Sequence, residues 1–187
     1  MHTVPAAPGA PPVPPGRGDA AARPVLVAAA VGTGLMAGLY FAFDVSVMPG
    51  LARADDRTFV TVMRSVNEVI DNSALFGLLF VGVFLATGIA GALQRRLGHP
   101  DAARWTRAAL ALYGLSVVVT MCVNIPLNRA LARPGSPPGS TGFGALRGGF
   151  ERPWATANIV RTLACTAALG ALGRALVLHG RGPAARP

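Results

Sequence analysis

Residues 72–94, NSALFGLLFVGVFLATGIAGALQ, run for 23 positions between Asp71 and Arg95 without a charge. At a rise of about 1.5 Å per residue, a helix of that length crosses the roughly 30 Å of hydrocarbon in a bilayer. Two more uncharged runs flank it, 20 residues between Arg23 and Asp44 and 21 between Arg107 and Arg129. A fourth apolar stretch, Trp154–Leu178, has the length but carries Arg161 and Arg174; everything else in it is apolar or small. The expected fold is all-α, a four-transmembrane-helix bundle with spans 24–47, 73–94, 105–126 and 154–178. A composition 52% hydrophobic and only 13% charged, with mean hydropathy +0.48, suits that class.

The rest of the chain follows from these spans. Residues 1–23 are Pro, Gly and Ala without apolar periodicity and are expected to form a disordered tail; 24–178 form the membrane domain and 179–187 a short basic tail. The first span is too long for a signal-peptide core and lacks a suitably placed cleavage site, so it is expected to remain as an anchor. Gly34 and Gly38 within it form a GxxxG, a pattern that admits a second helix closely. Met48-Pro49-Gly50 is expected to stop that helix. Beyond it, acidic residues precede Phe59, Val62, Met63, Val66, Val69 and Ile70 at three-and-four spacing, which predicts an amphipathic helix between spans one and two. The link 127–152 contains RPGSPPGSTGFG, a flexible Pro/Gly/Ser segment.

The net charge of +9 comes entirely from arginines spread over tails and links, with no compact basic domain, so nucleic acid is not an expected partner. Cys122 and Cys165 both fall in spans and read as small apolar residues. Nine arginines lie on the side of the termini and the second link, and seven on the other; six of the eight acidic residues also lie on that other side. The dense arginines of the short second link, Arg95, Arg96, Arg104 and Arg107, favour a multi-pass cell-membrane protein with both termini cytoplasmic.

Alternation of the spans brings the unusual polar residues to one face of the membrane. These are Asp44; Asn67, Glu68, Asp71 and Asn72; Asn124 and Asn128; and Trp154, Asn158 and Arg161. Asn67/Asp71 and Asn124/Asn128 are four apart, and Trp154, Asn158 and Arg161 follow at four and then three, so each set shares a helix face. Arg161 lies roughly 10 Å deeper along its helix than Trp154. At that depth it is expected to face inward with a carboxylate, Glu68 or Asp71, whereas Arg174 is near the other surface and can snorkel. Pro126 withdraws a backbone N–H and frees the carbonyl of Cys122, which the amides of Asn124 and Asn128 can satisfy. Those amides therefore read either as glue between spans or as part of a pocket.

The phrases GLYFAFDVSVMPGL (38–51), VMRSVNEVI (62–70), TMCVNIPLN (120–128) and WATANIVR (154–161), in that order, resemble the anthrone-oxygenase-like family of small four-helix membrane proteins. The family's pattern falls on Asn67, Asn124, Pro126, Asn128, Trp154, Asn158 and Arg161. The resemblance implies a membrane-bound oxygenase that turns an anthrone into an anthraquinone in aromatic polyketide pathways, with no conventional redox cofactor. A base, Glu68 or Asp71, would remove an acidic C–H from an electron-rich phenolic ring, and the enolate would pass an electron to dioxygen. Arg161, Asn124, Asn128 and Asn158 would hold the oxyanion, Asn67 would complete the substrate site, and Trp154 would stack on the ring or anchor at the interface.

His2, His99 and His179 map to tails or the second link, and no phosphate-binding glycine motif occurs, so neither metal nor nucleotide cofactor is expected. The competing class is a non-catalytic membrane protein in which the same pocket binds a small aromatic molecule or holds the helices together. A transporter with four spans would have to oligomerise. The expected partners are the bilayer, a small aromatic molecule and, in that last case, further copies of the chain.

Overall fold

The computed structural model describes residues 17–133 and 140–181. Residues 1–16 of the expected tail, 134–139 of the flexible link and 182–187 of the basic tail lie outside the described residues. Every regular element among the described residues is helical. Helix α1 (Arg17–Ala42) continues through a π-turn (Phe43–Val47) into α2 (Met48–Leu51). Helices α3 (Asp56–Asp71) and α4 (Ala74–Arg96) follow. Helix α5 (Pro100–Val119) runs through a second π-turn (Thr120–Asn124) into α6 (Ile125–Ala132), and α7 spans Ser140–His179. Four helical columns, Ala21–Leu51, Ala74–Arg96, Pro100–Ala132 and Gly142–His179, are long and apolar enough to cross a membrane. Column one touches α4 and α7, and α5 touches the same two, so the bundle is a closed square with α1 and α5 on a diagonal.

Local chemistry sets the breaks. Asp55 caps α3 by accepting from the backbone N–H of Thr58 at 3.1 Å and from its hydroxyl at 2.6 Å. Ser73 caps α4 through the N–H of Phe76. Gly98, with φ of 77°, supplies the left-handed residue that reverses the chain after α4, and Pro100 opens α5 where a missing N–H costs nothing. Helix α1 starts at Arg17, upstream of Pro24, with Ala20, Ala21 and Ala22 as strong helix formers in its first turns.

The first column ends at Leu51, one residue past the expected stop at Met48-Pro49-Gly50, whereas the third runs past Pro126 to Ala132; each proline follows a π-turn. In both turns the residue just before the proline donates its N–H five residues back, Met48 to the Phe43 carbonyl and Ile125 to the Thr120 carbonyl. The wider turn absorbs the displaced register, so each column continues beyond its proline. The end of the Pro/Gly/Ser segment is also helical from Ser140. Gly144 explains the choice of residue there, since a Cβ would stand 3.0 Å from the Asp56 carboxylate.

The core has two levels. Between the spans, Leu26, Met36, Tyr40, Tyr113 and Leu172 centre one cluster. At Gly32 column one packs tightly on α4, since a Cβ there would fall 2.4 Å from a Val83 methyl; Gly38 of the GxxxG has open space beside it. Buried Thr33, Thr87, Thr106 and Thr120 each return their hydroxyl to the carbonyl four residues back, which keeps polar groups satisfied in an apolar interior. The second cluster, Phe59, Met63, Leu131, Phe150 and Trp154, forms where α3 lies across α6 and the start of α7. Arg147 locks this cap: it donates to the carbonyls of Ala54 and Ala52, pairs with Asp56 and Glu151, and covers the Phe59 ring at 4.7 Å.

Candidate functional site

Under α3, where the four columns meet the cap, lies a cavity of about 110 Å³ whose envelope including the mouth is about 620 Å³. Its wall is aromatic on most sides, with Tyr40, Phe43, Phe76, Phe80 and Trp154. Its polar lining is Asn67, Asp71, Thr120, Asn124, Asn128 and Arg161. Of the eight residues singled out from sequence, six therefore line one cavity: Asn67, Asp71, Asn124, Asn128, Trp154 and Arg161.

The other two stand elsewhere. Glu68 is exposed and lines an outer groove with Arg64, Asn72 and Arg129, not the cavity. Asn158 is fully buried behind Arg161. Its NH2 group donates to the Tyr40 carbonyl at 2.8 Å and to Asp44 Oδ1 at 2.5 Å, and its Oδ1 accepts from Arg161 Nη2 at 2.6 Å. Turning the amide over would set an oxygen against two acceptors and an NH2 against a guanidinium, so its orientation is forced. Asn158 is thus a bridge rather than a substrate-holding residue.

That bridge corrects the expected pairing of Arg161. Neither Glu68 nor Asp71 pairs with it, and among the described residues Arg161 is in no ion pair. Its carboxylate is Asp44, reached through Asn158; the second oxygen of Asp44 accepts from Thr162 at 2.5 Å. The guanidinium also lies 4.2 Å from the centre of the Tyr40 ring and 5.5 Å from that of Trp154, and donates from Nη1 to Thr120 at 3.4 Å. Asp44 was visible in sequence as one of the polar residues at this face. Its role was not, because it sits in the π-turn Phe43–Val47, where the helix faces counted from ordinary spacing no longer apply. Tyr40, Phe43, Phe76 and Phe80 were missed altogether, since aromatic residues in an apolar span carry no separate signal.

The cavity wall holds polar atoms without partners. Asn124, 2% exposed, makes no hydrogen bond from either end of its amide; Asn67 Nδ2 and Arg161 Nε are likewise buried and unpaired. The wider turn ahead of Pro126, rather than the Asn124 amide, therefore accommodates the proline. Asn128 accepts from Trp154 Nε1 at 2.9 Å. Trp154 is 4% exposed and stacked among Phe43 and Phe150, so it is a wall of the cavity and not a lipid-facing anchor. Buried donors are normally satisfied, each unpaired one costing about 1–3 kcal/mol. Three residues with such unpaired groups, Asn67, Asn124 and Arg161, line this one cavity.

The chain belongs to the anthrone oxygenase family: the family model described as Anthrone oxygenase matches residues 63–171, more than half of the 187 residues. The matched stretch includes every cavity residue from Asn67 to Arg161 but not Tyr40, Phe43 or Asp44. No curated protein and no solved structure matches the chain.

Proposed function

We propose that this multi-pass membrane protein of the anthrone oxygenase family holds a flat, electron-rich phenolic ketone in the cavity as its oxyanion and exposes it to dioxygen. The observation that carries this reading is the set of unpaired donors on Asn67, Asn124 and Arg161 within an aromatic wall. Aromatic faces suit a polycyclic ring, and N–H donors fixed before the ligand arrives stabilise negative charge as it develops, without reorganisation. The Arg161 guanidinium keeps its proton, so the site stays positive toward the ligand.

Asp71, the one carboxylate of the lining, takes the proton from the activated CH2. The resulting enolate gives one electron to dioxygen, the radical pair joins into a peroxide anion at that carbon, and Asp71 returns its proton to give the hydroperoxide. Asp71 then takes the remaining C–H proton as the O–O bond breaks: one oxygen atom of O2 stays as the carbonyl, and the other leaves as hydroxide, which takes that proton and departs as water. The wall of amides, guanidinium, carboxylate and rings suits this oxyanion chemistry and requires no redox group.

Oxygen uptake by the protein in nanodiscs with anthrone tests the reading. It predicts one O2 per anthraquinone formed, and a fall of about 10²–10³ in rate for Asn124→Leu, as for the loss of one oxyanion donor. Turnover no faster than in protein-free nanodiscs contradicts it. A second reading, a carrier that binds such a molecule without reacting, is favoured by the exposure of Asp71, which leaves the one carboxylate of the lining open to solvent; binding without oxygen uptake supports it. With both termini cytoplasmic, as the arginine distribution favours, the cavity opens toward the outer face.

A further inference from the structure

We infer that the ligand of this cavity comes from the bilayer, passing between α4 and its neighbours beside Leu39 and Met121, while the outer groove carries only water and protons. The inference rests on the reading of the cavity as a site for a phenolic ring and adds the source and character of that ligand: a lipophilic, uncharged aromatic that ionises only once inside.

Three observations bear on it. First, the cavity has an apolar rim that continues the surface of the spans. Val27, Val31 and Leu35 form a stripe at four-residue spacing on α1, exposed by 42%, 58% and 58%, and the next residue of that stripe, Leu39, lines the cavity. On α5, exposed Leu115 and Val118 lead to Met121, which is 49% exposed and also lines the cavity. Between them stand the first turns of α4, with Phe76 and Phe80 as the wall. In a membrane-spanning bundle these stripes face lipid, so the rim faces lipid as well. A Met at such a window rotates about three bonds and re-forms readily around a passing ring.

Second, the roof is fixed. Helix α3 is tied to α6 by the bond from Arg64 Nε to the Leu131 carbonyl at 2.7 Å, and its start is held by the Arg147 clamp. A ligand arriving under α3 would have to break these bonds, whereas Leu39, Phe76, Phe80 and Met121 on the window side of the lining are all apolar.

Third, the outer groove, about 420 Å³, is charged, with Arg64, Glu68 and Arg129. It meets the cavity at a partition of Asn67, Asp71 and Asn128, which line both. Asn128 is held there by Trp154. Such a partition passes a proton from Asp71 to bulk water but offers no apolar path for a polycyclic ring, whose burial is driven by surface removed from water.

The test is the kinetics of anthrone binding under argon, without turnover, read by quenching of tryptophan fluorescence in nanodiscs. Leu39→Phe with Met121→Phe narrows the windows, and Arg129→Phe fills the groove. The expected result is an association rate slowed about tenfold by the window variant and unaltered by the groove variant. Slowing by the groove variant with no effect of the window variant overturns the inference and leaves the oxyanion reading standing. Binding through the windows without oxygen uptake in air does the opposite: it upholds the route and overturns the oxygenase. Failure of anthrone to bind the unaltered protein overturns both.

Discussion

At the scale of the residue, the site is organised by a charge that cannot be discharged. Arg161 is 6% exposed inside an apolar bundle, and it is held by a neutral amide that in turn is held by a carboxylate. Interposing Asn158 keeps Asp44 from pairing directly with the guanidinium, so part of the positive field remains for a ligand while the bundle still contains the compensating charge. Lysine has the charge but not the planar fork that reaches Asn158 and presents Nε at the same time. Arg161→Lys should therefore fold, with unchanged helical circular dichroism, yet bind anthrone at least about tenfold more weakly, a loss of about 1.4 kcal/mol. Equal binding by the Lys variant would remove the guanidinium geometry from the account. Sequence spacing placed Arg161 beside Asn124, Asn128 and Trp154. It named Glu68 or Asp71 because both lie at the same membrane face by topology, whereas Asp44 reaches the cluster only through a buried amide.

At the scale of the element, the informative features are the helix start at α3 and the two π-turns. Asp55, exposed in the turn before α3, has its carboxyl held below the usual range by the Thr58 hydroxyl, and further by the Thr58 backbone N–H. A carboxylate lowered in the folded state stabilises the fold above its ordinary value, and that contribution is lost as pH falls through the lowered one. Hydrogen exchange in the first turn of α3, corrected for intrinsic rate, should be flat from neutral pH down to the ordinary carboxylate range near about 4 and should rise below it. Asp55→Asn should remove the rise; a profile identical to that of the unaltered chain would take the cap out of the argument. The amphipathic helix itself was legible from Phe59, Met63 and Val66 recurring at helical spacing. The π-turns were not, because a proline signals a break far more often than a widened turn, and only the packed structure shows that Pro49 and Pro126 each follow one.

At the scale of the whole molecule, charge-free length was enough to find the spans. It did not give their full extent, because α1 and α7 run on as helices into charged sequence, and nothing about solvation stops a helix at the membrane boundary. The arrangement puts Arg53 and Arg104 at opposite ends of the bundle, each exposed. With cytoplasmic termini, a cysteine at position 53 in a Cys122→Ser background should react with an impermeant maleimide added to intact cells, and one at position 104 should react only after lysis. The reverse pattern would invert the orientation while leaving the cavity intact. The cap, the cavity and the rim all lie at one end of the bundle.

The central claim is that this end stabilises an oxyanion, and the ionisation of a bound phenol reads it directly. The absorption spectrum of 1-naphthol, which does not take part in the oxygen reaction, separates phenol from phenolate, so a pH titration in nanodiscs reports its ionisation inside the cavity. Buried N–H donors and one guanidinium predict that the bound probe ionises about 1–3 units below its value in protein-free nanodiscs, with most of the shift lost in Arg161→Lys and in Asn124→Leu. A bound probe that ionises at or above its protein-free value would contradict the account, because burial alone would then govern the site.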